Sequence, residues 1–112
     1  RSPSRGLGDV YKRQVLINLI LNAKDACLHK ENPLIKVIAS QNQNRETIIK
    51  VYDNGAGIPK EIMENIFVPF FTSKSTGSGI GLSLCKQIML LHKGRILVNS
   101  VENKGTVFSL IF

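Results

Sequence analysis

The feature that most constrains this chain is a polar, glycine-containing turn that begins at Asp53 and directly follows an apolar strand pattern. Ile49 and Val51 lie two residues apart in a segment that is typical of a half-buried β-strand. Because side chains two apart in a strand point to one face, we expect Asp53 to share the core-facing side of that strand. Gly55 and Gly57 then allow the backbone to approach another group closely. Local composition alone favours a hairpin turn over a ligand site, so other segments must decide.

Composition limits the chain to one domain and disfavours several functions. With 112 residues, 43% of them hydrophobic, the chain can bury one core. The net charge is +7, but four cations and Asp9 in the first fourteen residues account for +3 of it, and the other lysines are scattered. Nucleic-acid binding is therefore disfavoured. The sequence shows neither a continuous apolar run near twenty residues nor a charged-then-apolar signal sequence, so we expect no signal peptide or membrane span. Cys27 and Cys85 have no metal-like spacing, which indicates buried thiols in a reducing compartment.

The first helix is predicted to begin near Gln14 and to end at Asn32 and Pro33, so residues 1–13 are interpreted as a linker or non-native leader and residues 14–112 as the domain. One side of this helix is predicted to be apolar and a second side polar. The apolar side consists of Leu16, Ile20, Ala23 and Cys27, and the polar side of Asn18, Asn22, Asp25 and His29.

The remaining pattern alternates hairpins and helices. Strands are predicted over residues 34–41 and 47–53, then a short helix over residues 60–66, a long helix from about Gly79 to Gly94, and two last strands over residues 95–101 and 106–112. The long helix should bury Ile80, Leu84, Ile88 and Leu91. Because strands come as hairpins, we predict an α+β fold with helices packed on one face of a mixed, mainly antiparallel sheet, and not a Rossmann fold.

Three groups could carry phosphate chemistry. Gly77, Gly79 and Gly81 lead into a helix, where free backbone N–H groups favour anions. No Lys-Ser or Lys-Thr pair follows, so this is not a Walker loop. Asn22 offers an amide oxygen that either binds Mg²⁺ beside nucleotide phosphates or caps neighbouring backbone. Lys74 could contact terminal phosphate oxygens, although a lone loop lysine is more often only solvated.

The order of these segments resembles the ATP-binding catalytic domain of sensor histidine kinases. Residues 18–23 are similar to its N box and residues 53–59 to its first glycine box. Residues 67–71 resemble its F box and residues 77–82 its second glycine box. Residues 92–94, Ser100 and residues 105–108 are similar to the usual ending of the family. Four motifs in this order cover nearly all of the chain after residue 14.

The resemblance implies a Bergerat fold, the two-layer α/β sandwich shared with DNA gyrase B, Hsp90 and MutL. It implies that Asp53 accepts a hydrogen bond from the adenine amino group, that Asn22 holds Mg²⁺, and that Phe67 and Phe70 anchor an ATP lid over residues 58–78. The cofactor-binding residues implied for ATP are Asn22, Asp25, Ala26, Asp53, Gly55, Gly57, Ile58, Phe67, Thr76, Gly77, Gly79, Gly81 and Leu82.

The catalytic residues implied by the resemblance are Asn18, Asn22 and Lys74. Many family members carry a basic residue at the position of Asp25, so Lys74 is expected to take over that phosphate contact. Hydrolases and serine kinases of the superfamily usually carry a glutamate at the position of Asn18. An amide cannot accept a proton, which favours transfer to a nucleophile that needs no such base. His92 is interpreted as structural.

The implied function is that of an ATP-dependent protein histidine kinase domain in a two-component system. It would transfer the γ-phosphoryl group to a histidine on a helical dimerisation domain that this chain lacks, with a response regulator downstream. We expect a cytoplasmic domain without nucleic-acid or membrane contact, and membrane attachment of a longer protein stays open. The alternatives are a related Bergerat-fold ATPase or serine kinase, and an inactive interaction module.

Overall fold

The computed structural model describes residues 3–71 and 81–112, with side chains from residue 8 onward. The predicted site residues Lys74, Thr76, Gly77 and Gly79 and the predicted core residue Ile80 lie outside this described part. In chain order the elements are α1 (Pro3–Ala26), β1 (Ile35–Gln41), β2 (Thr47–Asp53), α2 (Lys60–Met63), α3 (Gly81–Leu91), β3 (Arg95–Val101) and β4 (Gly105–Ile111).

The strands form a four-stranded sheet in the order β1-β2-β4-β3. All pairings between the described strands are antiparallel, so the sheet predicted as mixed and mainly antiparallel contains no parallel pair in this part of the chain. Helices α1 and α3 pack against the sheet and against each other. The predicted α+β class with two layers is confirmed. The hairpin interpretation of the turn after Asp53 is wrong, because β2 leads into α2 and its second neighbour is β4.

Helix α1 differs from the prediction at both ends. It begins at Pro3 and not near Gln14, and it ends at Ala26, before Asn32 and Pro33. The added first turns of α1 lie close to the end of α3. A Cβ on Gly8 would lie only 3.2 Å from the His92 ring. After the helix, the side chain of Asn54 holds the connection to β1. Its Oδ1 accepts the Leu34 N–H at 2.8 Å, and its Nδ2 donates to the Asn32 carbonyl at 2.9 Å.

The buried faces of both long helices are shifted from the predicted ones. In α1, Val15 and Leu19 are fully buried, whereas Leu16 and Ile20 only pack at the margin of the core. In α3, Leu84 and Leu91 are 43% and 80% exposed. The residues of α3 that are buried instead are Ser83, Cys85, Ile88 and Met89.

The core lies between the two helices and one face of the sheet. Alternation along the strands puts Val51, Phe108 and Leu110 on the face toward the helices, and all three are buried. Burial of a side chain of this size contributes roughly 1.5–3 kcal/mol. Asp53 follows Val51 by two residues and so lies on the predicted, core-facing side at the end of the sheet. Among the described helices, none combines the length and the apolar character needed to cross a membrane.

Candidate functional site

Asp53 ends the central strand β2 with its carboxylate at the edge of the core. The register places it opposite Thr106 of β4. One carboxylate oxygen accepts the Gly55 backbone N–H at 2.8 Å. Partial burial raises the pKa of Asp53 above its ordinary value of 3.8, and backbone hydrogen bonds from Gly55 and Thr106 act in the opposite direction. Asp53 is thus a half-buried acceptor whose orientation the backbone fixes.

Gly55 joins this turn to the last turn of α1. A Cβ on Gly55 would collide with the backbone carbonyl group of Ala26. The next residue, Ala56, donates its N–H to the Ala26 carbonyl oxygen at 3.0 Å. Asn22 precedes Ala26 by four residues and lies on the same side of the helix. The close approach at Gly55 therefore brings the Asp53 turn beside the half-buried Asn22.

Helix α3 approaches α1 at Asn18, one helical turn before Asn22. The Asn18 Nδ2 lies 3.7 Å from the Cys85 Sγ, and Gln14 Nε2 donates to Asn18 Oδ1 at 3.4 Å. Cys85 follows Gly81, the first residue of α3, by four residues. Along α1, one helical turn apart, lie Asn18, Asn22 and Ala26. Helix α3 therefore lies beside the Asn18 end of this row, and the Asp53 turn lies beside the Ala26 end. The turn after Asp53 thus contacts α1 one helical turn after Asn22, and α3, which begins at Gly81, contacts α1 one turn before it.

Gly57 packs on the turn between β3 and β4. Its backbone is left-handed, with φ of 73°, and a Cβ there would collide with the Val101 carbonyl oxygen. Asn103 donates its backbone N–H to the Ala56 carbonyl at 2.6 Å in the same region. The Ile58 N–H donates to the Ser100 Oγ at 2.8 Å. The turn from Asp53 to Ile58 is thus held against both α1 and the last hairpin.

Ser100 and Thr106 are part of this region, although reasoning from the sequence gave them no role in the site. Their hydroxyl oxygens lie 2.8 Å apart. The signal that could have found them is alternation, because Ser100 follows Ile96 and Val98, and Thr106 precedes Phe108 and Leu110, on the core-facing side. Polar residues on such a face need hydrogen-bond partners.

Phe67 packs against the core as predicted, and Lys86 places its Nζ 5.2 Å from the centre of its ring. Phe70, also expected to anchor the lid by packing, is not packed against the core in this structure. Phe70 is 77% exposed and has a left-handed backbone with φ of 65°. That backbone belongs to a turn, which separates Phe70 from the packed Phe67. Leu82, in the first turn of α3, is partly buried against the core.

The two histidines lie near the ends of the long helices, and His92, interpreted as structural from the sequence, contacts the backbone of α3. The His92 Nδ1 lies 2.8 Å from the Ile88 carbonyl oxygen at the end of α3, a contact within the helix. His29 is exposed after α1. Within residues 3–71 and 81–112, no group of three or more His, Cys, Asp or Glu side chains could hold a metal ion.

The fold and the grouped polar residues define a two-layer α+β domain with a helix amide beside a strand-end acid. Residues 10–112 match the family described as histidine kinase-, DNA gyrase B- and HSP90-like ATPase, and the chain belongs to that family. The resemblance seen in the four motifs is confirmed.

Individual relatives are sensor kinases. The sensor histidine kinase ZraS of Salmonella typhimurium is 42% identical over 97 residues, which are 87% of this chain and 20% of that protein. The histidine-protein kinase AtoS of Escherichia coli is 37% identical over 99 residues, 88% of this chain and 16% of that protein. The solved catalytic domain of histidine kinase ThkA is 38% identical, with a TM-score of 0.78 over 92% of this chain and 66% of that chain. The chain thus spans a fifth or less of the two full-length kinases.

Proposed function

We propose that this chain is the ATP-binding catalytic domain of a two-component sensor histidine kinase. It binds ATP and transfers the γ-phosphoryl group to a histidine on a helical dimerisation domain of the same protein, which lies outside the 112 residues. A response regulator then receives the phosphoryl group. The functional domain comprises residues 14–112, with residues 1–13 as a linker or non-native leader, and it works in the cytoplasm without contacts to nucleic acid or membrane.

The observation that carries the proposal is the placement of the Asp53 carboxylate. It is half-buried, it already accepts the Gly55 N–H at 2.8 Å, and it lies beside the helix turn that contains Asn22. An ionised carboxylate only accepts hydrogen bonds. It therefore favours adenine, which presents an amino group, over guanine, which presents a carbonyl oxygen at the equivalent ring position. Gly55, Gly57 and Ile58 support this turn through packing and hydrogen bonding.

Asn18 favours phosphoryl transfer over hydrolysis. Its amide lies between Gln14 and Cys85 and has no group that can take a proton from water. An imidazole acceptor is nucleophilic near neutral pH and needs no base at this position. The proposed role of Asn18 is to hold α1 and α3 together at the phosphate side, and Lys74 is proposed to offset phosphate charge there.

Asn22 is proposed to hold Mg²⁺ together with the phosphates of bound ATP. Its amide oxygen is a ligand type that Mg²⁺ accepts, and it lies one helical turn from the Ala26 carbonyl that receives Ala56. Because the described residues hold no cluster of acidic or imidazole ligands, the other ligands would be phosphate oxygens and water. When bound, the ion neutralises phosphate charge. Asp25, Thr76, Gly77, Gly79, Gly81 and Leu82 are proposed to line the rest of the nucleotide site.

The experiment that tests the proposal is calorimetric titration of the chain with ATP and with GTP, each in the presence of Mg²⁺. We expect binding of ATP and a clear preference for it over GTP. Absence of ATP binding would refute the nucleotide-binding role. Substantial ATP turnover by the purified chain without an added dimerisation domain would instead favour a related ATPase.

A further inference from the structure

Three polar side chains form a row across the end of the sheet. The register pairs Asp53 of β2 with Thr106 of β4, and Thr106 with Ser100 of β3. Directly opposed residues of antiparallel strands point to the same face. Asp53, Thr106 and Ser100 therefore lie side by side on the core-facing side, with the proposed adenine acceptor at one end of the row.

The Ser100 hydroxyl uses its full hydrogen-bonding capacity within this region. It accepts the Ile58 N–H at 2.8 Å and donates to the Gly105 carbonyl at 3.0 Å. The Ser100 hydroxyl has one proton, which the Gly105 carbonyl can accept, and in the 2.8 Å contact between the Ser100 and Thr106 hydroxyls either oxygen can be the donor. When the Ser100 proton goes to the Gly105 carbonyl, Thr106 donates to Ser100 and offers only lone pairs to any other group.

Ser100 also fixes one end of the turn that carries the site. The other end is fixed at Asp53, because a Cβ on Gly105 would collide with the Asp53 carbonyl oxygen. Ile58 is the first residue after Gly57, and its N–H is directed to the hydroxyl of Ser100. Loss of this hydroxyl would therefore free Ile58 and allow the Thr106 hydroxyl to rotate, while the glycine contacts stay in place.

We propose that Ser100 is a positioning residue for base recognition. It holds the segment between Asp53 and Ile58 against the β3–β4 hairpin and keeps the Thr106 hydroxyl as an acceptor beside the Asp53 carboxylate. Two adjacent acceptors select a base that presents an amino group. This inference rests on the proposed function, because it concerns the adenine side of that same site.

The test compares three ligands in the presence of Mg²⁺: ATP, GTP and inorganic tripolyphosphate, which lacks a base. For Ser100→Ala we expect the Kd for ATP to rise roughly 3- to 10-fold, the effect of one net hydrogen bond. The preference for ATP over GTP should fall by a similar factor, and the Kd for tripolyphosphate should stay at the value of the unmutated chain. Ser100→Thr retains the hydroxyl and should restore both ATP affinity and base preference.

Ser40→Ala is the matched control, because Ser40 is an exposed strand serine of β1. It should change none of the three Kd values. Equal ATP affinity and base preference in Ser100→Ala and the unmutated chain would overturn the inference while the proposed function stands. Equal losses for ATP and tripolyphosphate would also overturn it, because they indicate general loosening. An unmutated chain that ignores ATP would refute the proposed function itself.

Amide hydrogen exchange of the unmutated chain tests the inference even if Ser100→Ala does not fold. In the unmutated chain the Ile58 N–H should be protected, because Ser100 accepts it, and addition of ATP with Mg²⁺ should slow its exchange further. Exchange of this amide at the rate of an open loop amide, with or without ATP, would overturn the inference.

Discussion

Gly55→Ala tests whether the contact between the Asp53 turn and α1 stabilises the fold and forms the site. The added Cβ would meet the carbonyl oxygen and carbon of Ala26 and lie 2.8 Å from its Cβ. Two of these three atoms belong to backbone, which cannot swing away as a long side chain can. Either the turn or the end of α1 must move.

The expected cost follows from two terms. Overpacking of a close contact costs about 1–3 kcal/mol. Movement of the turn also lengthens the 3.0 Å hydrogen bond from Ala56 to the Ala26 carbonyl, and its loss costs about 1 kcal/mol. We therefore expect the free energy of unfolding to fall by roughly 2–4 kcal/mol, which for a domain of this size lowers Tm by about 10–25 °C. The fraction that stays folded should bind ATP more weakly, because Asp53 and Asn22 separate.

The assay is thermal unfolding followed by circular dichroism, together with ATP titration below the lowered Tm. Gly81→Ala is the control for Tm alone, because no heavy atom of the described residues lies within 4 Å of a Cβ at that position. Its ATP affinity is not compared, because Gly81 is proposed to line the nucleotide site. At the start of α3 this change should leave Tm unchanged or raise stability by up to about 1 kcal/mol. A Gly55→Ala chain that melts within about 3 °C of the unmutated chain, less than the shift of 1 kcal/mol, and keeps its ATP affinity would refute this reasoning.

Three further predictions concern the proposed nucleotide site. Asp53→Asn should weaken ATP binding by about 1–3 kcal/mol, because the amide can misorient, and equal Kd values by calorimetry would contradict the assigned acceptor. Asn22→Ala should slow phosphoryl transfer to an added dimerisation domain more than about 100-fold and weaken the dependence of ATP binding on Mg²⁺; normal transfer rates would exclude Asn22 from the site. The third prediction follows from the raised pKa of Asp53. A raised pKa in the folded state means that this group contributes stability below its unfolded value of 3.8, and that the contribution is lost as pH rises through the folded value. ATP affinity should increase as pH rises from 3.8 through the folded pKa of Asp53, because the carboxylate ionises and becomes a better acceptor. If Asp53→Asn shows the same dependence of ATP affinity on pH as the unmutated chain, this prediction is refuted.

The strands were predictable because their signal is local. The alternation around Ile49 and Val51 fixes both the face and the end of β2, and the observed element, Thr47–Asp53, matches the predicted range. Helix faces were predicted less well. In α3 the apolar pattern favours Leu84 and Leu91, but both are exposed and Met89 is buried instead. The sequence predicts burial of the Cys85 thiol, whereas burial of the polar Ser83 shows only in the tertiary structure.

In the proposed site, too, some residues can be recognised from the local sequence pattern, whereas others depend on contacts that are distant in the sequence. The strand-end acid and the glycines stand out in the sequence because they break a local pattern. Ser100 breaks no local pattern, because its hydrogen-bond partner Ile58 is 42 residues away in the sequence. Their contact depends on the register of β3 with β4. The early start of α1 likewise brings Gly8 close to His92, a residue just beyond α3 that is distant in the sequence.

The glycines of the first glycine segment have packing reasons that do not require a ligand. Gly55 is needed because Ala26 lies against it, and Gly57 because its backbone is left-handed against the β3–β4 hairpin. Glycine content therefore says little about nucleotide binding by itself. What bears on binding is the result of these contacts: a carboxylate on β2 and an amide on α1 come together, although neither element alone forms a site. Restoring folding of Gly55→Ala with a stabilising change elsewhere should for this reason leave ATP binding impaired, and recovery of full affinity would show that the contact serves stability alone.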